Sequence, residues 1–184
     1  MSRDDCNFAI YYSYTLERMN YTLLTRIDKL ITLVLIVVGF SVFSSFNNYF
    51  VFGVFVSVLS VLQLVYHFGQ EAGSSKEQMK QYKRLLAESP SLSDPELTDR
   101  FIKAQDTDNN PWRSLENAAY LKACLYFSLP ATYNLTFFQK CMSLLAGDSP
   151  RKKDFEEKQM SKFANDHMPP KKPPAQPVKP QPKK

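Results

Sequence analysis

The sequence predicts an all-α membrane protein: a two-helix transmembrane hairpin with cytoplasmic helical extensions and a disordered, Pro/Lys-rich C-terminal tail. Three observations carry this reading. Leu30 to Gln70 is a run of 41 residues without one Asp, Glu, Lys or Arg, in a chain that is 22% charged. That run is long enough to cross a bilayer core of about 30 Å twice, at roughly 17–25 residues per crossing. Residues 169–182 hold 7 of the 12 prolines, so the C-terminal end cannot build a core. The mean hydropathy of −0.32 averages these unlike parts and hides both of them.

Residues 1–29 form the first element. Phe8, Tyr12, Leu16, Met19, Leu23, Ile27 and Leu30 recur at spacings of 4, 4, 3, 4, 4 and 3, one stripe of an amphipathic helix with an eleven-residue repeat. The stripe suits packing on another helix; the alternative is a helix lying on the membrane surface. It runs without Pro or Gly into the apolar run.

The hairpin occupies 30–68. Its arms are Leu30–Phe46 and Tyr49–Phe68, of 17 and 20 residues, or about 26 and 30 Å of helix. The turn falls at Asn47 and Asn48, the one strongly turn-favouring pair in the run. A single unbroken helix would overshoot the bilayer by more than tilting absorbs. A cleaved signal peptide does not fit either, because 29 largely polar residues precede the run. Arg18, Arg26 and Lys29 flank one arm and Lys76, Lys80, Lys83 and Arg84 the other, while the turn carries no positive charge. The positive-inside rule then places both termini in the cytoplasm of the cell, the plasma or inner membrane if the host is bacterial.

Residues 69–148 read as cytoplasmic helices. Ser74–Ala87 carries Met79, Tyr82 and Leu86 on one side and stops before Pro90. Ser93-Asp94-Pro95 opens a helix over Pro95–Gln105, with proline at the first helical position. A helix from Trp112 carries Ala118, Leu121, Leu125 and Leu129 until Pro130, and Tyr133–Ala146 forms a last helix closed by Gly147. Lys122 and Lys140 keep both from being further spans.

The tail, 149–184, carries 10 Lys+Arg against 4 Asp+Glu, net +6, while residues 1–150 carry 13 against 14, net −1. The basic pI of about 9.0 therefore belongs to the tail, and no folded basic face for nucleic acid is indicated. Lys171, Lys172, Lys179, Lys183 and Lys184 can hold anionic lipid at about 1 kcal/mol each, contact a partner, or merely solubilise the chain. Pro174–Pro177 also fits a proline-motif ligand.

The chemistry-bearing motifs are sparse. No phosphate-cradling loop, zinc-protease motif or nucleophile elbow is present, and an enzyme is not expected. Cys6, Cys124 and Cys141 lack metal-type spacing, and two histidines do not make a zinc site, so no cofactor or metal is expected. Asp106–Asn110 opens like a calcium loop, but Pro111 and Asn117 stand where Gly and Glu are required. The informative pattern lies within the apolar run. Gly53, Ser57, Ser60, Gln63 and His67, spaced 4, 3, 3 and 4, share one helical face, and Ser41, Ser44, Ser45 and Asn48 gather near the turn. Polar groups facing lipid are costly, so this face should meet another helix or water. It is either the contact between helices of a homo-oligomer or the lining of an uncharged pore.

This layout resembles the SLATT-domain family. The matching features are Phe8–Leu30 leading into Leu30–Phe46, the tight turn at Asn47-Asn48, Tyr49–Phe68 continuing into Gln70–Leu86, and the Trp112–Leu125 helix, together about residues 7–146. The family comprises small two-transmembrane proteins of bacterial and phage conflict systems. The resemblance implies an oligomeric, membrane-perturbing or pore-forming defence effector, triggered by a cytoplasmic sensor or partner protein. This sequence departs in its Pro-Lys tail and in having no fused sensor or nucleotide-binding segment, which leaves the trigger open. The competing expectation is a membrane-anchored adaptor that recruits a cytoplasmic partner through its helices and basic tail. A third is a hairpin that wedges into one leaflet, which the 20-residue second arm argues against.

Overall fold

A computed structural model of the chain describes residues 2–41, 49–107 and 110–158. Among the described residues the fold is helical and no strand occurs. In chain order the described residues include the α-helices α1 (Arg3–Ser41), α2 (Tyr49–Tyr66), α3 (Phe68–Glu88), α4 (Asp94–Gln105), α5 (Glu116–Phe127) and α6 (Phe137–Leu145), and a further helical segment over 152–158. The Asn47-Asn48 turn, Ser44, Ser45, the end of the first arm and the five tail lysines lie outside the described residues.

The long α1 is the axis of the molecule. Its stripe is buried as a helix contact: Leu16, Met19 and Leu23 pack with Leu115, Ala118, Ala119 and Leu121 of the α5 region, and Tyr12 and Ile27 border them. A second line, absent from the single-stripe reading, lies on another side. Cys6 and Ile10 pack with Tyr82 and Leu85 of α3 and with Leu97 and Phe101 of α4. Buried on two sides, α1 is a central helix rather than a surface one, and what it leaves exposed before Lys29 is polar, Asp4, Asp5, Arg18 and Arg26.

The α1–α3 contact also carries polar groups. Glu17 and Asn20 of α1 and Ser75 and Gln78 of α3 are buried. Asn20 Nδ2 donates to Ser75 Oγ at 2.9 Å, and Gln78 Nε2 donates to the Ala104 carbonyl of α4 at 2.5 Å. Such buried bonds fix the helices' register, because a slip would leave the partners unsatisfied in the core.

Several boundaries differ from the sequence reading. α5 ends at Phe127 because Ser128 is left-handed, with φ of 54°, so Leu129 leaves the helical stripe and is 47% exposed. The last helix begins at Phe137, not Tyr133. Thr136 and Gln139 form a reciprocal capping box there, and the preceding loop seats Tyr133 and Leu135 on the core as non-helical residues. Gly147, with φ of 76°, closes α6: its N–H donates to the Leu144 carbonyl, and the Asp148 N–H to that of Ser143. The tail also begins later than residue 149. Pro150 and Phe155 are buried, Phe155 against Tyr133, and 152–158 is helical, so the packed body reaches at least Lys158.

Candidate functional site

From Leu30 onward the surroundings change. On α1, Leu30, Leu33, Ile36, Val37 and Phe40 are exposed; on α2, Phe50, Val51, Val54, Phe55, Val58, Val61, Leu62, Leu64 and Val65 are exposed. Fourteen large apolar side chains thus cover the outside of two adjacent helix segments. At about 1.5 kcal/mol or more per side chain, leaving them in water costs on the order of 20 kcal/mol, above the usual stability of a whole domain. One described helical run, Phe50–Ser91, is long and apolar enough to cross a membrane, with mean hydropathy 1.9 and none of its apolar window buried. That window falls in α2, whose 18 residues span about 27 Å.

The border between the apolar and charged parts is matched on two helices. A side-chain carbon at Gly69 of α3 would stand 3.7 Å from the Asp28 carboxylate of α1, so the last charged turn of α1 lies beside the first turn of α3. The chain breaks here too. His67 adopts φ 42° and ψ 41°, the left-handed region that a residue with Cβ rarely takes. Its N–H still donates to the Gln63 carbonyl at 3.2 Å, and its carbonyl accepts from Gln70 and Glu71 at 2.9 and 3.0 Å. Tyr66 and Phe68, two apart, would point to opposite sides of a regular helix. With His67 inverted between them they stack, centroids 5.3 Å apart and planes 9° apart. Phe68 is thereby set into a cluster with Leu24, Ile31 and Ala72. The second arm is therefore not one helix running straight into the next, as the sequence suggested; it is jointed at the border.

The structure divides the five residues of the polar face expected from the sequence. The line half-buried on α1 is Phe52, Val56, Leu59 and Gln63, and Leu59 joins the Leu24–Ile31–Phe68 cluster together with Leu35. Gln63 therefore belongs to the inner side. Gly53, Ser57 and Ser60 lie on the adjoining side, exposed and turned from α1. Ser57 Oγ donates to the Gly53 carbonyl at 2.8 Å, which satisfies the hydroxyl within its own helix, and nothing lies within 4 Å of a carbon added at Gly53. This small, smooth strip is a surface a second helix can approach closely.

His67 lies at the foot of that strip and opens onto a polar cleft that sequence reasoning missed. Asn20, His67, Gln70, Glu71, Ser74, Ser75 and Asn110 line a volume of about 310 Å³ at the border. The signal for it was in part legible, since Gln70, Glu71 and Ser74 continue the Gly53–His67 spacing. The inversion at His67 and the inward turn of Asn20 from α1 were not. The lining is neutral hydrogen-bonding groups with one carboxylate, Glu71, and one imidazole, His67. No group of three or more His, Cys, Asp or Glu residues is arranged to hold a metal among the described residues.

The thiols are packed into the body. Cys6 and Cys124 are buried and Cys141 is partly so, all free. Burial pushes the Cys6 and Cys124 thiols above the usual thiol range, which keeps them protonated and unreactive. Compared with protein-family models, curated proteins and solved structures, the chain shows no significant match.

Proposed function

We propose that this chain is an integral membrane protein whose two apolar segments fold back as a hairpin, with the helical body and both termini on the cytoplasmic side. Copies associate through the Gly53–Ser57–Ser60 strip into an oligomer that perturbs the membrane, as the resemblance to SLATT-domain effectors implies. The observation that carries this is the pairing of an apolar exterior, shared by α1 beyond Lys29 and α2, with a small and polar strip, Gly53–Ser57–Ser60, on α2. Lipid satisfies the first, and only another helix or water suits the second. His67 and the polar cleft lie beyond the end of α2, so an oligomer joined along the strip has polar groups at its cytoplasmic side. The strip then serves as packing surface, pore lining, or one in the closed and the other in the open assembly.

Induced expression in bacteria, followed with a potential-sensitive dye, tests this. Ser57→Leu with Ser60→Leu keeps the protein in the membrane and abolishes depolarisation if the reading holds. Undiminished depolarisation by that variant overturns the strip's role.

An adaptor reading has one observation in its favour. Tyr120, Tyr126 and Leu129 are exposed at the end of the body remote from the apolar segments, with Tyr126 stacked on Tyr11 at 4.1 Å. Under that reading, activity survives the strip substitutions and is lost on replacing Tyr120 and Tyr126.

A further inference from the structure

The helix α6 is packed the wrong way round for a protein surrounded by water. The side it turns to the body carries Gln139, Met142 and Ser143, of which Ser143 is fully buried. The opposite side carries Phe137, Phe138, Leu144 and Leu145, which are 81%, 56%, 70% and 49% exposed. At 100° per residue these four and Cys141 fall within an arc of about 120°, with Lys140 at its edge. Nothing local forces this orientation: the capping box and the glycine closure set where α6 starts and stops, not which side faces out.

Its position says what lies over it. The Arg26 guanidinium donates to the Leu145 carbonyl at 2.8 Å, which ties the end of α6 to α1 one turn before Leu30, where the exposed apolar surface begins. Asp148, just beyond, pairs with Arg18 of α1 and Lys122 of α5, which locks the same end to the body. Cations surround the outer side. Lys140, Arg151 and Lys152 share a shallow groove with Cys141 and Leu144; Arg151 meets the Asp154 carboxylate through Nε and Nη2, both at 3.4 Å, and Lys152 lies 3.6 Å from Glu156. Phenylalanine and leucine framed by basic residues, level with the entry of α1 into apolar surroundings, is the make-up of a helix that lies in the headgroup layer.

We infer that α6 is an interfacial anchor: its Phe137–Leu145 side inserts among anionic lipid headgroups on the cytoplasmic leaflet. This rests on the reading that α1 and α2 enter the bilayer, and it adds a third contact that holds the body against the membrane. The body is then fixed in height and tilt against the membrane.

The test uses the full chain with Cys141→Ser, reconstituted in phosphatidylcholine vesicles containing phosphatidylglycerol. An environment-sensitive fluorophore is placed on Leu144→Cys, or on Val58→Cys in the middle of α2. Quenching is compared between a nitroxide on the lipid just below the headgroup and aqueous iodide. The Leu144 probe is expected to be quenched roughly threefold or more better by the lipid nitroxide than by iodide, with weaker contact when phosphatidylglycerol is omitted. Iodide quenching at Leu144 with lipid quenching at Val58 overturns the anchor and leaves the hairpin standing. Shielding of Leu144 from both quenchers means a protein surface covers it, which also overturns the proposal. Failure of lipid quenching at Val58 removes the membrane reading itself.

Discussion

At the scale of single residues, three backbone positions do work that a sequence pattern does not display. Gly147 was legible as a helix stop, and the structure adds why it must stay glycine. Its φ of 76° strains any residue with a side chain, and an added carbon would come 3.0 Å from an Arg26 guanidinium nitrogen. Gly147→Ala is therefore expected to cost about 1–2 kcal/mol, read as a fall of a few degrees in Tm in detergent. His67 and Ser128, by contrast, take left-handed conformations without glycine's signature, so neither joint could be read beforehand. At His67 the strain is offset by what it positions, the Tyr66–Phe68 stack and the seating of Phe68 in the core. A β-branched side chain tolerates that conformation worst. His67→Val should lower stability by about 1–2 kcal/mol while His67→Gly leaves it unchanged or raised, measured by thermal melting of both variants. Equal behaviour of the two would mean that the joint is not held where the structure has it.

At the scale of elements, legibility followed periodicity. The Phe8–Leu30 stripe announced α1: Leu16, Met19 and Leu23 are buried, Phe8, Tyr12 and Ile27 half-buried, and Leu30, at the far end, is exposed. The second line of α1, Cys6 and Ile10 against α3 and α4, was hidden because a helix covered on two sides has no polar side to contrast with its apolar one. Likewise the polar contacts of Asn20 with Ser75 and of Gln78 with Ala104 carry no hydrophobic period at all. Spacing alone placed Gln63 with Ser57 and Ser60, whereas the structure gives it to the inner line with Leu59. A residue 3.6-fold periodicity leaves on the edge of a face is decided by where the neighbouring helix sits, and that is tertiary information. The same limit explains α6. Its start was read four residues early because Tyr133 and Leu135 are apolar and lead into the apolar helix, yet they serve the core from a loop. Which of its sides faces inward was never a question the spacing could answer.

At the scale of the whole molecule, charge and hydropathy partition the chain along α1 more sharply than along the sequence. The body surrounds α1 up to Asp28, and from Leu30 the same helix stands exposed beside α2. This division is the source of every functional statement above: the strip on α2, the cleft at the joint and the anchoring side of α6 are each defined by their distance from that border. The membrane topology is thus the claim to test. A membrane-impermeant maleimide applied to intact cells distinguishes the two sides, with Cys6 and Cys124 silent because they are buried. With Asn48→Cys introduced, and Ser91→Cys on the exposed surface of the body in a Cys141→Ser background, the account predicts labelling of residue 48 from outside, and of residue 91 only after the membrane is permeabilised. Labelling of both positions from the same side, or neither until the cells are opened, contradicts a hairpin that crosses the bilayer.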